Sequence, residues 1–327
     1  MQPDLLDRRL LFVTGKGGVG KTAVTAAIAS LAAARGRRTL ACEVDARGDL
    51  AEFFETGPTA FEPREVQPNL HLMTLTTEES LREYLRLQLR VPLLARIGPL
   101  ARTFDFVATA APGVREILTV GKVAWEVRER HYDLVIVDAS ASGHVVAQLA
   151  APDAIAELVK VGLVRDQTGW MRALLADPAT TGVVVVTTPE EMPVIETLEL
   201  VGRLRAETPV DLAAVVANRV LPELFGHREE ELFRHWRAPE RIAALAGAVR
   251  DLPGGAACAP DAVAATFDAA DLAVRLRRSR ATHLAHLREG LPPGTPLLLV
   301  PELFSRAHGA RATTRVADAL AAELGEP

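Results

Sequence analysis

The stretch that decides the fold is Leu10-Leu11-Phe12-Val13-Thr14-Gly15-Lys16-Gly17-Gly18-Val19-Gly20-Lys21-Thr22. A short apolar run stops at a glycine cluster, and the alanine-rich residues 23–34 follow, with Gly36 placed to end a helix. Strand, tight loop and helix are therefore predicted in that order. Residues Gly15 to Thr22 have the spacing Gly, four residues, Gly-Lys-Thr. Glycines let successive backbone N–H groups turn inward onto phosphate oxygens, and the start of the next helix adds the positive end of its dipole. In such a loop Lys21 pairs with the β- and γ-phosphates of ATP and the Thr22 hydroxyl ligates Mg2+. Lys16 is an additional cation at the second position, on the outer side of the loop, where a lysine can reach phosphates bound across a subunit interface.

Outward from this loop, residues 38–44, 71–76, 132–138, 182–187, 212–217 and 296–300 are short, nearly continuous apolar runs of the kind found in strands covered on both faces. Helix-period stretches, among them 193–207 and 310–324, alternate with them. The pattern predicts an α/β fold with a doubly wound, mainly parallel sheet. Residues 78–129 and 145–177 are long, helix-patterned and without strand signals, and are expected as helical insertions at one edge of the sheet. The apolar positions Leu81, Tyr84, Leu85, Leu87, Leu89, Leu93, Leu94 and Ile97 are read as core or dimer packing. With no Pro/Gly/Ser linker, residues 1–327 read as one domain carrying insertions at about 78–130 and 145–177. Asp138, at the carboxyl end of the strand 132–138, stands where a carboxylate holds magnesium through water.

The 327 residues are 49% hydrophobic and carry a net charge of -5, which suits a globular chain and not a nucleic-acid binder. Arg275, Arg277, Arg278 and Arg280 fall in a helix-like stretch and read as a solvated face. The two cysteines, Cys42 and Cys258, have no neighbours at metal-ligand spacing and read as buried thiols in a reducing compartment. Residues 1–9 are polar and charged, unlike a signal peptide, and the most apolar long stretch, 145–164, is interrupted by Asp153, Glu157 and Lys160. No integral membrane segment and a cytoplasmic location are expected.

The octapeptide Gly15 to Thr22 resembles the deviant Walker A loop of the nitrogenase-iron-protein, MinD, ParA and arsenite-pump class of P-loop NTPases, in which the signature lysine acts across a dimer. That resemblance implies a trans role for Lys16. Within the class the chain is similar to the ArsA (arsenite-pump) and tail-anchored-protein-targeting ATPases from residue 10 to about 324. Asp45-Ala46-Arg47-Gly48-Asp49-Leu50-Ala51-Glu52-Phe53-Phe54 resembles the family's switch I, Asp-Pro-Ala-His-Asn-Leu-Ser-Asp-Ala-Phe, and implies Asp45 as the residue that activates water. Pro112-Gly113-Val114-Arg115-Glu116 resembles the family's Pro-Gly-x-x-Glu. Asp138-Ala139-Ser140-Ala141-Ser142-Gly143-His144 resembles switch II, Asp-Thr-Ala-Pro-Thr-Gly-His, and implies γ-phosphate sensing by Gly143 and His144. Pro189-Glu190, followed by Glu196-Thr197, implies that Glu190 lies near nucleotide across the dimer. Asn218 falls where the family's Asn recognises adenine, and Val300-Pro301-Glu302-Leu303 resembles the loop that packs on the base.

The departures are as informative as the matches. Ala23 replaces a second Ser or Thr that touches the α-phosphate, at a cost of about 0.5–1.5 kcal/mol in nucleotide binding. Ala46 and Ala141 replace prolines, and Arg47-Gly48 replaces Ala-His. No cysteine lies between Cys42 and Cys258, and Asn218 is followed by Leu221, Pro222, Glu223 and Phe225 without one, so neither an arsenite site nor a dimer-joining zinc site is expected. Four methionines argue against a methionine-lined groove. The arsenite pump carries two such halves in one chain, and one half here implies a homodimer, or a heterodimer with a paralogous chain as in the actinobacterial paired type, acting on an unidentified client. Three readings stay open. The first is a dimeric ATPase. The second is a MinD/ParA-type positioning switch, whose basic amphipathic anchor residues 310–327 do not supply. The third is a catalytically weak nucleotide-binding subunit.

Overall fold

The computed structural model describes residues 4–44, 48–89, 113–139, 142–158, 163–250, 259–304 and 309–325. Among these, eight strands form one sheet: β1 (Leu10–Gly15), β2 (Thr39–Val44), β3 (Arg64–Gln67), β4 (Leu70–Leu75), β5 (Leu134–Asp138), β6 (Thr181–Thr187), β7 (Leu212–Val220) and β8 (Leu297–Pro301). Their order is β3-β4-β2-β5-β1-β6-β7-β8, with every neighbouring pair parallel except β3 and β4. The mainly parallel α/β sheet expected from the apolar runs is present. β1 lies at its centre, so the loop after β1 opens at the carboxyl ends of the strands, where open α/β sheets bind ligands.

Alternate residues of β1 feed opposite cores. Leu11 and Val13 join Val24, Ile28, Val316 and Leu320 on one face, covered by the helices Lys21–Ala34 and Ala310–Glu323. Leu10 and Phe12 join Val120, Val123, Leu149 and Leu200 on the other. The helix Lys21–Ala34 is buried nearly all round, and its alanines allow a close approach to the sheet.

The helical insertions become the helices Thr77–Leu89, Val114–Arg128, Ser142–Leu158 and Leu163–Ala176. The last three cover the second face of the sheet instead of extending beyond its edge, because the Leu10, Phe12, Val135 and Val137 side chains there need apolar cover. Leu81 and Tyr84 are half-buried. Leu93, Leu94, Ile97 and Pro112 lie outside the described residues, as do the side chains of Leu85, Leu87 and Leu89, and Cys258. Cys42 is buried, and burial pushes its thiol pKa far up.

Between β7 and β8 the chain forms the helices His227–Trp236, Pro239–Arg250 and Pro260–Gly290. The last, at 31 residues, buries only Leu284 and Leu287 near its carboxyl end. Its amino-terminal half holds Phe267 against a stack of Phe233 and Phe225, with centroids 5.2 and 4.9 Å apart. Of the arginines read as a solvated face, Arg275 pairs with Asp271 and Arg278 with Glu230, whereas Arg280 turns toward the sheet. No helix of the described residues is long and apolar enough to cross a membrane.

Candidate nucleotide site

The phosphate loop leaves β1 through Gly15, whose φ is 148°; a Cβ there would lie 2.1 Å from the Val186 carbonyl oxygen, so only glycine lets β1 pass β6 this closely. At the far end Gly20, with φ 94°, caps the helix Lys21–Ala34, and a Cβ on it would meet the Asn218 amide nitrogen at 2.3 Å. Gly17 and Gly18, between them, face open space. A side chain at Gly17 or Gly18 would enter open space, and Lys21, Thr22 and Ala23 form the first turn of the helix that follows.

Behind the loop stands Asp138, the last residue of β5 and 7% exposed. The Thr22 hydroxyl donates to its Oδ2 at 2.7 Å, and the Thr25 hydroxyl to Oδ1 at 3.4 Å. Burial pushes the Asp138 carboxyl up to about 6, against the opposing effects of the Thr22 hydrogen bond and the Lys21 charge. The Lys21 ammonium donates to the Lys16 carbonyl at 3.2 Å, and burial holds it below the ordinary lysine value despite Asp138. A hydroxyl and a buried carboxylate form a hard oxygen set suited to Mg2+. With an ammonium beside them and open space before Gly17 and Gly18, the residues present fit a metal-bound triphosphate.

Three contacts here have no counterpart in the sequence reading. Glu43 is 5% exposed, lies opposite Asp138 in the β2–β5 register, and accepts a hydrogen bond from the Asp49 N–H at 3.1 Å. A second buried carboxylate therefore borders the site and ties β2 to the start of the helix Asp49–Glu52. Its one signal was an acidic residue near the end of an apolar strand. Lys16 does not stand free: its ammonium meets Glu196 of the helix Glu191–Glu207 at 2.5 Å, with both side chains about a third exposed. The third contact concerns Asn218, whose side-chain N–H donates to the Val19 carbonyl at 2.9 Å while its oxygen accepts from the Arg219 N–H at 2.9 Å. Asn218 braces the phosphate loop from β7 and keeps one N–H and one lone pair for another partner.

The other residues expected at the site lie on neighbouring elements. Pro301 ends β8 opposite Val220, so it and Asn218 occupy neighbouring strand ends. Glu190 precedes the helix Glu191–Glu207 and accepts from Arg280 at 3.2 Å, linking the long helix to the end of β6. Gly143 and His144 are exposed in the first turn of the helix Ser142–Leu158. Asp45 lies outside the described residues, as do Ser140 and Ala141; Asp45 is two positions beyond Glu43.

The family profile for ArsA-type anion-transporting ATPases matches residues 8–170 and 158–244. The chain is similar to the ATPase BagA of Mycobacterium tuberculosis, with 31% identity over 225 residues that make up 65% of this chain and 66% of BagA. It is 25% identical to the arsenical pump-driving ATPase of Acidiphilium multivorum over 267 residues, 74% of this chain and 45% of that protein. Identity to the ATPase ASNA1 homolog of Babesia bovis is 24% over 254 residues, 65% and 67% of the two chains. The match therefore spans just under two thirds of the mycobacterial relative and less than half of the Acidiphilium protein. Because the family match runs from β1 through β7 and takes in the whole phosphate loop together with Asp138 and Asn218, the chain belongs to the ArsA ATPase family.

Proposed function

We propose that the chain is a dimeric Mg-ATP hydrolase in which binding and hydrolysis of ATP open and close two subunits on a client, the second subunit being another copy or a paralogous chain. The observation that carries this reading is the convergence of Lys21 and Thr22 with buried Asp138 behind a loop that opens outward at Gly17 and Gly18. In this reading Lys21 neutralises charge on the β- and γ-phosphates, and Thr22 and Asp138 hold Mg2+, Asp138 through water. Bound there, Mg2+ supplies Lewis-acid stabilisation of the charge that develops on the bridging oxygen. Asp45 orients the attacking water; the water oxygen bonds to the γ-phosphorus and its proton passes to the departing phosphate, while the bond to the bridging oxygen breaks and ADP leaves with the electron pair. Gly143 and His144 report whether the γ-phosphate is present. Asn218 and Pro301 take the base, and Glu190 and Lys16 act on the nucleotide of the partner subunit.

Phosphate release tests the chemistry. Lys21→Ala and Asp45→Asn are each expected to lower turnover at saturating Mg-ATP by about a hundredfold or more. Unchanged turnover in Asp45→Asn would remove that residue from the mechanism, and a monomer with every nucleotide tried, measured by light scattering, would remove the dimer. One observation favours a second reading: Ala23 has no hydroxyl for the α-phosphate. If the chain alone binds ATP without releasing phosphate, but does release it when mixed with a paralogous chain, it is a weakly catalytic subunit of a heterodimer.

A further inference from the structure

β7 is irregular where it passes the phosphate loop. Ala217 pairs with Leu299 and Val220 with Pro301, so two residues of β7, Asn218 and Arg219, stand against one of β8, Val300. One extra residue is thus lodged in β7, a bulge that is rare between parallel strands and favoured beside functional sites. Arg219 carries the distortion, with φ at 58°. That left-handed conformation suits glycine and crowds the Cβ of an arginine against the following carbonyl. Backbone in such a state persists only where neighbouring groups fix it.

Two groups fix it here. The Arg219 N–H is taken by the Asn218 side-chain oxygen at 2.9 Å, and the Asn218 side-chain N–H is spent on the Val19 carbonyl of the phosphate loop at 2.9 Å. The Arg219 carbonyl is held from outside the sheet, by Arg280 of the helix Pro260–Gly290. One Nη of Arg280 donates to that carbonyl at 3.3 Å and the other to Glu190 Oε1 at 3.2 Å. The Arg280 side chain is 24% exposed, whereas Arg275 and Arg278 of the same helix are 67% and 57% exposed, so Arg280 alone of the three is turned inward onto the bulge. A continuous line of contacts therefore runs from Arg280 through Arg219 and Asn218 to Val19.

We propose that Arg280 is a positioning residue for the base of the nucleotide: it holds the left-handed carbonyl of Arg219, and through Arg219 it sets the Asn218 amide. With one N–H and one lone pair left over, that amide matches the N7 acceptor and N6 donor of adenine. Arg280 itself touches no substrate. The inference rests on the reading of this site as one that binds ATP with Asn218 at the base, and adds that the long helix supports the site from outside the sheet.

Calorimetric titration of the full chain with Mg-ADP and with magnesium tripolyphosphate separates base from phosphate binding. Arg280→Ala is expected to weaken Mg-ADP about three- to tenfold, the scale of one hydrogen bond, and tripolyphosphate by less than about twofold. Adding Arg219→Gly to Arg280→Ala should restore most of the lost affinity, because glycine takes a φ of 58° without the crowding that arginine suffers. A loss that came from general loosening of the long helix is not repaired by a glycine in β7. Arg280→Met, which keeps the apolar stem, takes the place of Arg280→Ala if the latter does not fold. Unchanged Mg-ADP binding in a folded Arg280 variant, equal weakening of Mg-ADP and tripolyphosphate, or no recovery in the double variant would each overturn the inference. A wild type that binds neither ligand would remove the nucleotide reading itself, and this inference with it.

Discussion

At the scale of single residues, Asp138 shows how the site is held under electrostatic tension before any ligand arrives. The carboxylate is buried by the strands and loop that position it, and the carboxyl is pushed up to about 6 from an ordinary value of about 4. Between those pH values the folded protein keeps a proton that the unfolded chain has released. Stability is therefore complete below about pH 4, falls as pH rises through 6, and stays lower above it. The shift corresponds to about 2–3 kcal/mol at pH 7. In metal-free buffer with a chelator, Asp138→Asn is thus expected to melt at a higher temperature than the wild type at pH 7, and the gap to close as pH falls from 6 toward 4. A variant less stable than the wild type at pH 7 would show that the Thr22 and Lys21 interactions outweigh burial. Much of this residue's setting was legible: an acidic residue ending an apolar run, paired with a Gly-Lys-Thr loop. Its neighbour Glu43 was not, because the contact needs β2 and β5 side by side, and they are separated in the chain by 89 residues, from Val44 to Leu134, a pairing that no local spacing encodes.

At the scale of elements, the strands inside the sheet announced themselves because a strand covered on both faces must be apolar at nearly every position, and the edge strand β8 did so through the run Leu297-Leu298-Leu299-Val300. β3 did not. Arg64-Glu65-Val66-Gln67 is polar, flanked by Pro63 and Pro68, and sits at the edge of the sheet, where charge blunts further pairing. The turn that brings it back on β4 uses Asn69 at φ 65°, a left-handed position that asparagine tolerates. A parallel account explains the Pro-Gly pair at the start of the helix Val114–Arg128. Gly113 caps that helix at φ 87°, with open space around its Cα, so the requirement is conformational and not steric. Gly113→Ala should therefore cost about 1–2 kcal/mol, read as a lower urea midpoint with an unchanged slope. Because that helix packs on β5 and Gly113 is not among the residues gathered at the phosphate loop, Km for ATP should stay where it was; a raised Km would give Gly113 a place in the site.

At the scale of the whole molecule, the question is what one chain does with Lys16 if, as proposed, it serves a partner subunit. Lys16 rests on Glu196, a pairing between the second residue of the phosphate loop and a helix 180 positions later in the chain. Both partners are about a third exposed, so the pair is worth at most about 1 kcal/mol after solvent screening. That is enough to hold Lys16 in a defined place and too little to prevent its departure. Met192 and Ile195, at 55% and 39% exposure, sit on the same helix close to Glu196, so the surface from which Lys16 leaves also carries apolar side chains that a second subunit can cover. If Lys16 serves the partner's phosphates, each subunit must give up its own Lys16–Glu196 pair when two subunits close on ATP. Glu196→Gln removes that cost in advance. The variant should associate up to about fivefold more tightly per subunit in the presence of Mg-ATP and be unchanged without nucleotide, whereas Lys16→Ala should lose the ATP-dependent association altogether. Sedimentation at a series of concentrations, with and without Mg-ATP, reads both. Equal association by Glu196→Gln and the wild type under ATP would mean that Lys16 keeps its intrachain partner throughout the cycle, and the trans role would fall with it.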